Sequence, residues 1–266
     1  MNVFFKKNLI FILAVIILLI WSCYSVITWK EITYRNDPII LYYNIIGTGL
    51  NFIQLIGPLF VIIPATYWFH KKLHSGIISY YLTRMPYKKF ILKNYFNSIL
   101  KSLILPFFCI FLIAICCLKI KSISFGSGFD MYNYYASPEK STSSNIYIFM
   151  LFYFINMVLN SIFYVNICLF NMKKNSNYLV TMILSFICFI GIEIVVDALF
   201  AGFILARILN IHNLQLTLSL FSIWTYYGVK KIWYCTFYYL LLVIISTIVI
   251  FIKYKNKEGV LIESEK

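Results

Sequence analysis

Acidic side chains are scarce in this sequence. Only 9 of its 266 residues are Asp or Glu, and charged residues of both signs make up 12%. A soluble domain of this size carries about 25%. With 62% apolar residues and a mean hydropathy of +0.84, there is too little polar surface to cover a globule. An integral membrane protein is therefore expected. The motifs of self-contained chemistry are missing too. There is no Gly-x-x-x-x-Gly-Lys-Ser/Thr loop, so the chain cannot cradle a nucleotide by itself. Histidine occurs three times. His70 and His74 have the i, i+4 spacing of a metal pair but lack the Glu that follows the first His in zinc proteases, and His212 lies far away in the chain. No Ser/His/Asp grouping can be assembled. The seven Cys contain no Cys-x-x-Cys and sit in or beside apolar runs, where they read as small packing residues. No inverted or tandem repeat of the transporter kind is visible. No catalytic residue, metal site or bound cofactor is expected of this chain.

What remains is hydrophobic spans and positive charge. Six runs, at 9–29, 50–69, 96–118, 146–170, 178–200 and 233–252, are long enough to cross about 30 Å of hydrocarbon. In lipid the backbone must satisfy itself, so each is expected to be a helix. The fold class expected is an all-α membrane protein forming a single transmembrane domain over 1–266. The first run is longer than a signal-peptide core and lacks a small-residue cleavage site, so it is expected to stay as the first span. A formal net charge of +14 would suggest nucleic acid in a soluble protein, but here the cations flank the spans. Orientation and anionic headgroups explain them first, and no nucleic-acid partner is expected. With the N-terminus inside, 14 Lys and Arg fall on the cytoplasmic side and 8 on the outer side, leaving Lys101 at the head of the third span. That bias places both termini in the cytoplasm.

Polar residues within the spans are the candidates for a translocation path. The second span carries Gln54 and two prolines, Pro58 and Pro64. Each proline removes a backbone donor, so this span is expected to bend twice, for packing or to line a path. Asn156, Asn160 and Tyr164 recur at i, i+4, i+8 and share one helical face. That face suits hydrogen bonds between helices or a polar path. Glu193 and Asp197 share a face of the fifth span, about 22 Å or more along it from Tyr178. Intramembrane acids are functional candidates, while this depth also suits an interfacial role. The loop at 119–145, rich in Gly, Ser and Tyr, is expected outside. The semi-apolar 201–232 is expected to form an outer re-entrant hairpin.

The stretch that organises the chain is 58–94, PLFVIIPATYWFHKKLHSGIISYYLTRMPYKKFILKN. It passes from span to basic, aromatic, amphipathic segment at His70. Its Gly76 after a charged patch, its Arg84-Met-Pro86 turn, its Lys88-Lys89 pair and its Lys93 resemble the connector between spans two and three of ABC type-2 exporter permeases. So does the whole plan of six spans, cytoplasmic termini and an outer hairpin before the last span. The family often has an acid before the glycine, where this chain has Lys72 and His74. The resemblance implies a permease that pairs with a second permease chain, identical or different, and with a separate nucleotide-binding subunit that holds ATP-Mg. It implies that His74, Gly76, Arg84, Pro86, Lys88 and Lys89 form the ATPase-coupling connector; anchoring to lipid headgroups explains the three cations equally. An amphipathic substrate is expected, such as an antimicrobial peptide in export or self-immunity. A composition rich in Ile, Asn, Lys and Tyr points to the cytoplasmic membrane of a low-GC bacterium. The competing classes are a non-transporting immunity or assembly protein and a membrane-embedded enzyme acting on lipid or peptide, for which Glu193 and Asp197 are the only acids available.

Overall fold

The computed structural model describes residues 3–28, 51–74, 77–119, 146–173, 176–201 and 232–255. The expected outer loops and hairpin, apart from their edge residues, lie outside these, as does Gly76. The described residues form helices and no strand. In chain order they are α1 (Val3–Thr28), α2 (Asn51–His74), α3 (Ile77–Arg84), α4 (Tyr87–Ser102), α5 (Ile104–Lys119), α6 (Ile146–Met172), α7 (Tyr178–Ala201) and α8 (Ile232–Lys253). Three stretches are long and apolar enough to cross a membrane: Tyr87–Leu118, Phe154–Met172 and Thr236–Lys253. Shorter apolar helices cover Leu9–Ile20 and Tyr178–Ile192.

Local sequence explains the helix ends. α3 stops at Arg84 because the ring of Pro86 pushes the residue before it, Met85, out of helical conformation. Pro86 then leads into α4 with φ −58° and ψ 141°, and its carbonyl accepts the Phe90 N–H at 3.0 Å. The third run begins earlier than its hydropathy suggested. It is helical from Tyr87 rather than from 96, and it breaks at Leu103. The cause of the break is Pro106, which has no N–H for the Ser102 carbonyl and whose ring crowds it. The ladder resumes where the Phe107 N–H meets the Leu103 carbonyl at 3.1 Å. α7 opens on a capping asparagine: Asn177 Oδ1 accepts the Leu179 N–H at 2.9 Å. α2 runs as one helix through both Pro58 and Pro64 and continues past the apolar run to His74.

α2 and α6 form the centre of the bundle. α6 packs against α2, α4, α5, α7 and α8, and α2 packs against α1, α3, α4, α5, α6 and α7. The core is mainly apolar but takes in many polar side chains. Buried positions include Thr66, Asn94, Ser98, Asn156, Asn160, Ser161, Asn166, Asn171, Thr181 and Ser185. The outward faces carry Ile16, Ile17 and Ile20 on α1, Phe107 and Ile110 on α5, Ile183 and Ile187 on α7, and Ile244, Ile245 and Ile248 on α8. Polar residues inside and large apolar residues outside are what lipid, rather than water, selects. Hydrogen bonds between helices hold the interior. Thr66 Oγ1 meets the Tyr178 hydroxyl at 3.1 Å, joining α2 to α7. Asn171 Nδ2 donates to Ser185 Oγ at 3.3 Å, joining α6 to α7. Asn166 Nδ2 donates to Ser246 Oγ at 2.8 Å and Thr247 Oγ1 at 3.1 Å, and Thr247 pairs with the Tyr95 hydroxyl at 3.0 Å, so α6, α8 and α4 share one network.

Candidate coupling surface and polar core

The contacts fix how the helices run. His74 at the end of α2 touches Met172 at the end of α6, and Lys253 at the end of α8 touches Phe170. These three helices end together, and α4 and α7 start there. Among the described residues, Lys71, Lys72, Arg84, Lys88, Lys89, Lys93, Lys173, Lys253 and Lys255 therefore gather at one end of the bundle. The only acids among the described residues, Glu193 and Asp197, stand on the far half of α7. Basic residues near the C-termini of α2 and α8 also sit favourably against the negative ends of the helix dipoles.

The connector is a set of helices joined to this end by named contacts. Lys72, half-buried on the last turn of α2, donates from Nζ to Asn94 Oδ1 on α4 at 2.6 Å. Asn94 is held in place for this by its own Nδ2, which donates to the Phe90 carbonyl at 2.8 Å. The Lys72 ammonium also lies 5.3 Å from the Tyr81 ring centroid on α3. Below it, Phe69 of α2 packs edge-on against Phe90 and stacks with Tyr254. Arg84 lies over the exposed Tyr80 ring at 4.4 Å, while Lys88 and Lys89 project outward on the first turn of α4. Arg84, Pro86, Lys88 and Lys89 are all exposed.

His74 is placed differently. Its Nε2 donates to the Met172 carbonyl at 2.9 Å, which fixes the proton on that nitrogen. The ring faces His70 at 4.5 Å between centroids. It ties α2 to α6 and remains partly exposed. Among the described residues no group of three His, Cys, Asp or Glu stands close enough to hold a metal. Of the expected path residues, the structure describes the side chains of two. Asn156 and Asn160 are buried in α6, and Asn160 Nδ2 donates to the Tyr164 hydroxyl at 3.3 Å along the same helix. Glu193 and Asp197 lie on α7 and Gln54 on α2, with side chains outside the described set.

No protein-family model, curated protein or solved structure matches this chain. Its site is therefore read from its own geometry. Two features of that geometry escaped the sequence reading. One is the Lys72–Asn94 tie across the connector. The other is the polar floor made by Asn166 with Ser246 and Thr247, in which Asn166 Oδ1 is buried with no hydrogen-bond partner among the described residues. The second did carry a signal: Ser246-Thr247 is the one polar doublet in the apolar run of α8.

Proposed function

We propose that this chain is the membrane-spanning subunit of an ATP-driven exporter of the ABC type-2 kind, with six spans, both termini and the basic end in the cytoplasm. In this reading α4 and α5 together form the third span. The observation that carries it is the surface of Arg84, Lys88 and Lys89, exposed on short helices that are fastened to α2 through Lys72. Such a surface suits a partner that pushes on it, and the sequence contains no nucleotide loop with which to move itself. The positive-inside bias supports a cytoplasmic position for it. A separate ATPase, holding ATP-Mg, closes and displaces the α3–α4 connector. Rigid-body tilting of the helices attached to it then opens the outer side, and a second permease chain completes the path. The substrate is an amphipathic molecule such as an antimicrobial peptide, moved out of the cell or the membrane for export or self-immunity.

Purifying the tagged full chain from native membranes tests this. The expected result is a co-purified P-loop ATPase and ATP-dependent efflux or protection in the same membranes. Recovery of the chain without an ATPase, together with membranes that show no ATP-dependent protection, refutes it. Replacing Glu193 by Gln and Asp197 by Asn tests whether those acids belong to the path: unchanged efflux assigns them to the outer interface.

A further inference from the structure

A groove of about 610 Å³ runs between α6, α7 and α8. Phe163, Ile167 and Phe170 of α6 line it with the polar Asn166, Asn171 and Ser246, and Gly191 of α7 and Val249 of α8 border it; nearly all of its exposed lining is apolar. Its volume is about twenty times one water's share of the liquid, and it lies in the size range of small-molecule sites. Gly191 borders its open side. A Cβ built there meets nothing within 4 Å. The outer edges are lipid-facing, with Ile187 58% exposed and Ile248 53% exposed.

One end of this groove meets the basic end of the bundle. Phe170 lines it, and the Lys253 ammonium sits 3.6 Å from the Phe170 ring centroid. Lys173, just past the end of α6, donates to the Lys253 carbonyl at 2.9 Å. Lys255 follows two residues later and is exposed. Three lysines thus stand at the mouth of an apolar groove, with no acidic side chain among the described residues of that end. Charge at the mouth and hydrocarbon below it match one occupant.

We propose that this groove is a binding site for an anionic phospholipid, which lays an acyl chain over Phe163, Ile167 and Phe170 and sets its phosphate among Lys173, Lys253 and Lys255. The site does not depend on the exporter reading, because it uses a different face from the Arg84, Lys88 and Lys89 surface. A zwitterionic phospholipid offers the same chain without the net negative charge, so it fits the groove and misses the rim. The preference is electrostatic, and each lysine near a membrane surface is worth about a fivefold change in occupancy.

The test places the full-length chain in lipid nanodiscs doped with phosphatidylglycerol or phosphatidylcholine carrying a photoactivatable diazirine in the acyl chain, with adducts mapped by mass spectrometry. Phosphatidylglycerol is expected to label 163–170 several-fold more than phosphatidylcholine. A Lys173→Gln, Lys255→Gln variant is expected to cut the excess labelling by phosphatidylglycerol several-fold, leaving the phosphatidylcholine value unchanged. Gly191→Leu puts a bulky side chain at the groove and is expected to lower labelling there for both lipids. Equal labelling of the unmodified chain by the two lipids overturns the proposal, as does labelling that Gly191→Leu leaves unchanged. If Cys188, which also lines the groove, cross-links to Cys188 of a second copy, the groove is a dimer contact and the proposal fails.

Discussion

The Lys72–Asn94 tie offers the sharpest test of how the connector is held. Lys72→Met keeps most of the aliphatic stem but removes the ammonium. Two contacts then go: the 2.6 Å bond to Asn94 Oδ1 and the position 5.3 Å from the Tyr81 ring. A hydrogen bond to a charged group contributes about 1.5–3 kcal/mol, and a cation over an aromatic ring about 0.5–1 kcal/mol at exposed sites. Asn94 is buried and its amide is held by the Phe90 carbonyl, so its Oδ1 cannot turn to water when Lys72 is gone. A loss of about 2–3 kcal/mol is expected. Asn94→Leu should cost less, about 1 kcal/mol, because Lys72 is only half-buried and its ammonium can swing to solvent. The double variant should show a coupling of about 1–2 kcal/mol. Reversible unfolding in mixed micelles gives the four stabilities. A coupling below about 0.3 kcal/mol, within the scatter for independent sites, would refute the idea that this pair fastens the connector.

The other predictions address surface, bundle and clasp separately. Replacing Arg84, Lys88 and Lys89 together by Ala should leave stability within about 0.5 kcal/mol, because all three are exposed, yet lower ATPase co-purification and ATP-dependent efflux; unchanged co-purification and efflux would remove this surface from the coupling role. His74→Phe keeps the ring but loses the bond to the Met172 carbonyl, and should destabilise the chain by about 1 kcal/mol in the same micelle assay. Tyr254→Phe removes the hydroxyl that donates to the Leu169 carbonyl at 2.9 Å while keeping the stack on Phe69, so a cost of about 0.5–1.5 kcal/mol is expected, with a larger loss for Tyr254→Ala. Tyr178→Phe should cost about 0.6 kcal/mol, the average for a hydrogen bond between membrane helices, read as a shift in the unfolding midpoint.

Hydropathy located the apolar runs but not the helix ends, and the reason is physical. Apolar composition reports where a segment meets lipid, while a helix ends where its hydrogen-bond ladder is broken. α2 loses its apolar character at His70 yet continues to His74, because nothing in Phe-His-Lys-Lys-Leu-His prevents another turn. Helix α4 is amphipathic from Tyr87, so a hydropathy window sees only its later part. The breaks that do occur were written in proline: Pro86 between α3 and α4, and Pro106 at the Leu103 step. The exposed cations of the connector could be read from the chain because charge in an apolar protein stands out. The partners in the core could not. Lys72 and Asn94 are 22 residues apart, and His74 and Met172 are 98 apart. Which polar group meets which depends on how each helix is rotated about its axis, and a run such as α6, with Asn156, Asn160, Asn166 and Asn171 on it, has several faces to offer. Asn156 and Asn160 stand out by their spacing, but Asn166 and Asn171 line the groove, and Asn166 joins α8.

The ties at the basic end also explain how a surface without chemistry can matter. α4 is held to α2 by Asn94 and Lys72, α2 to α6 by His74 and Met172, and α6 to α8 by Lys173, Lys253 and Tyr254. These separate hydrogen bonds link four helices in series. Each is modest alone, but they lie side by side at the same level, so a displacement of the connector cannot relax by bending a single helix away. It must carry the ends of α2, α6 and α8 with it or break several bonds at once. At about 1 kcal/mol or more per bond, breaking three of them costs more than tilting packed helices whose outer faces slide in fluid lipid. The same argument says where the bundle can give. The groove between α7 and α8 is floored by α6 and left open at Gly191, so movement of α7 against α8 meets least resistance there.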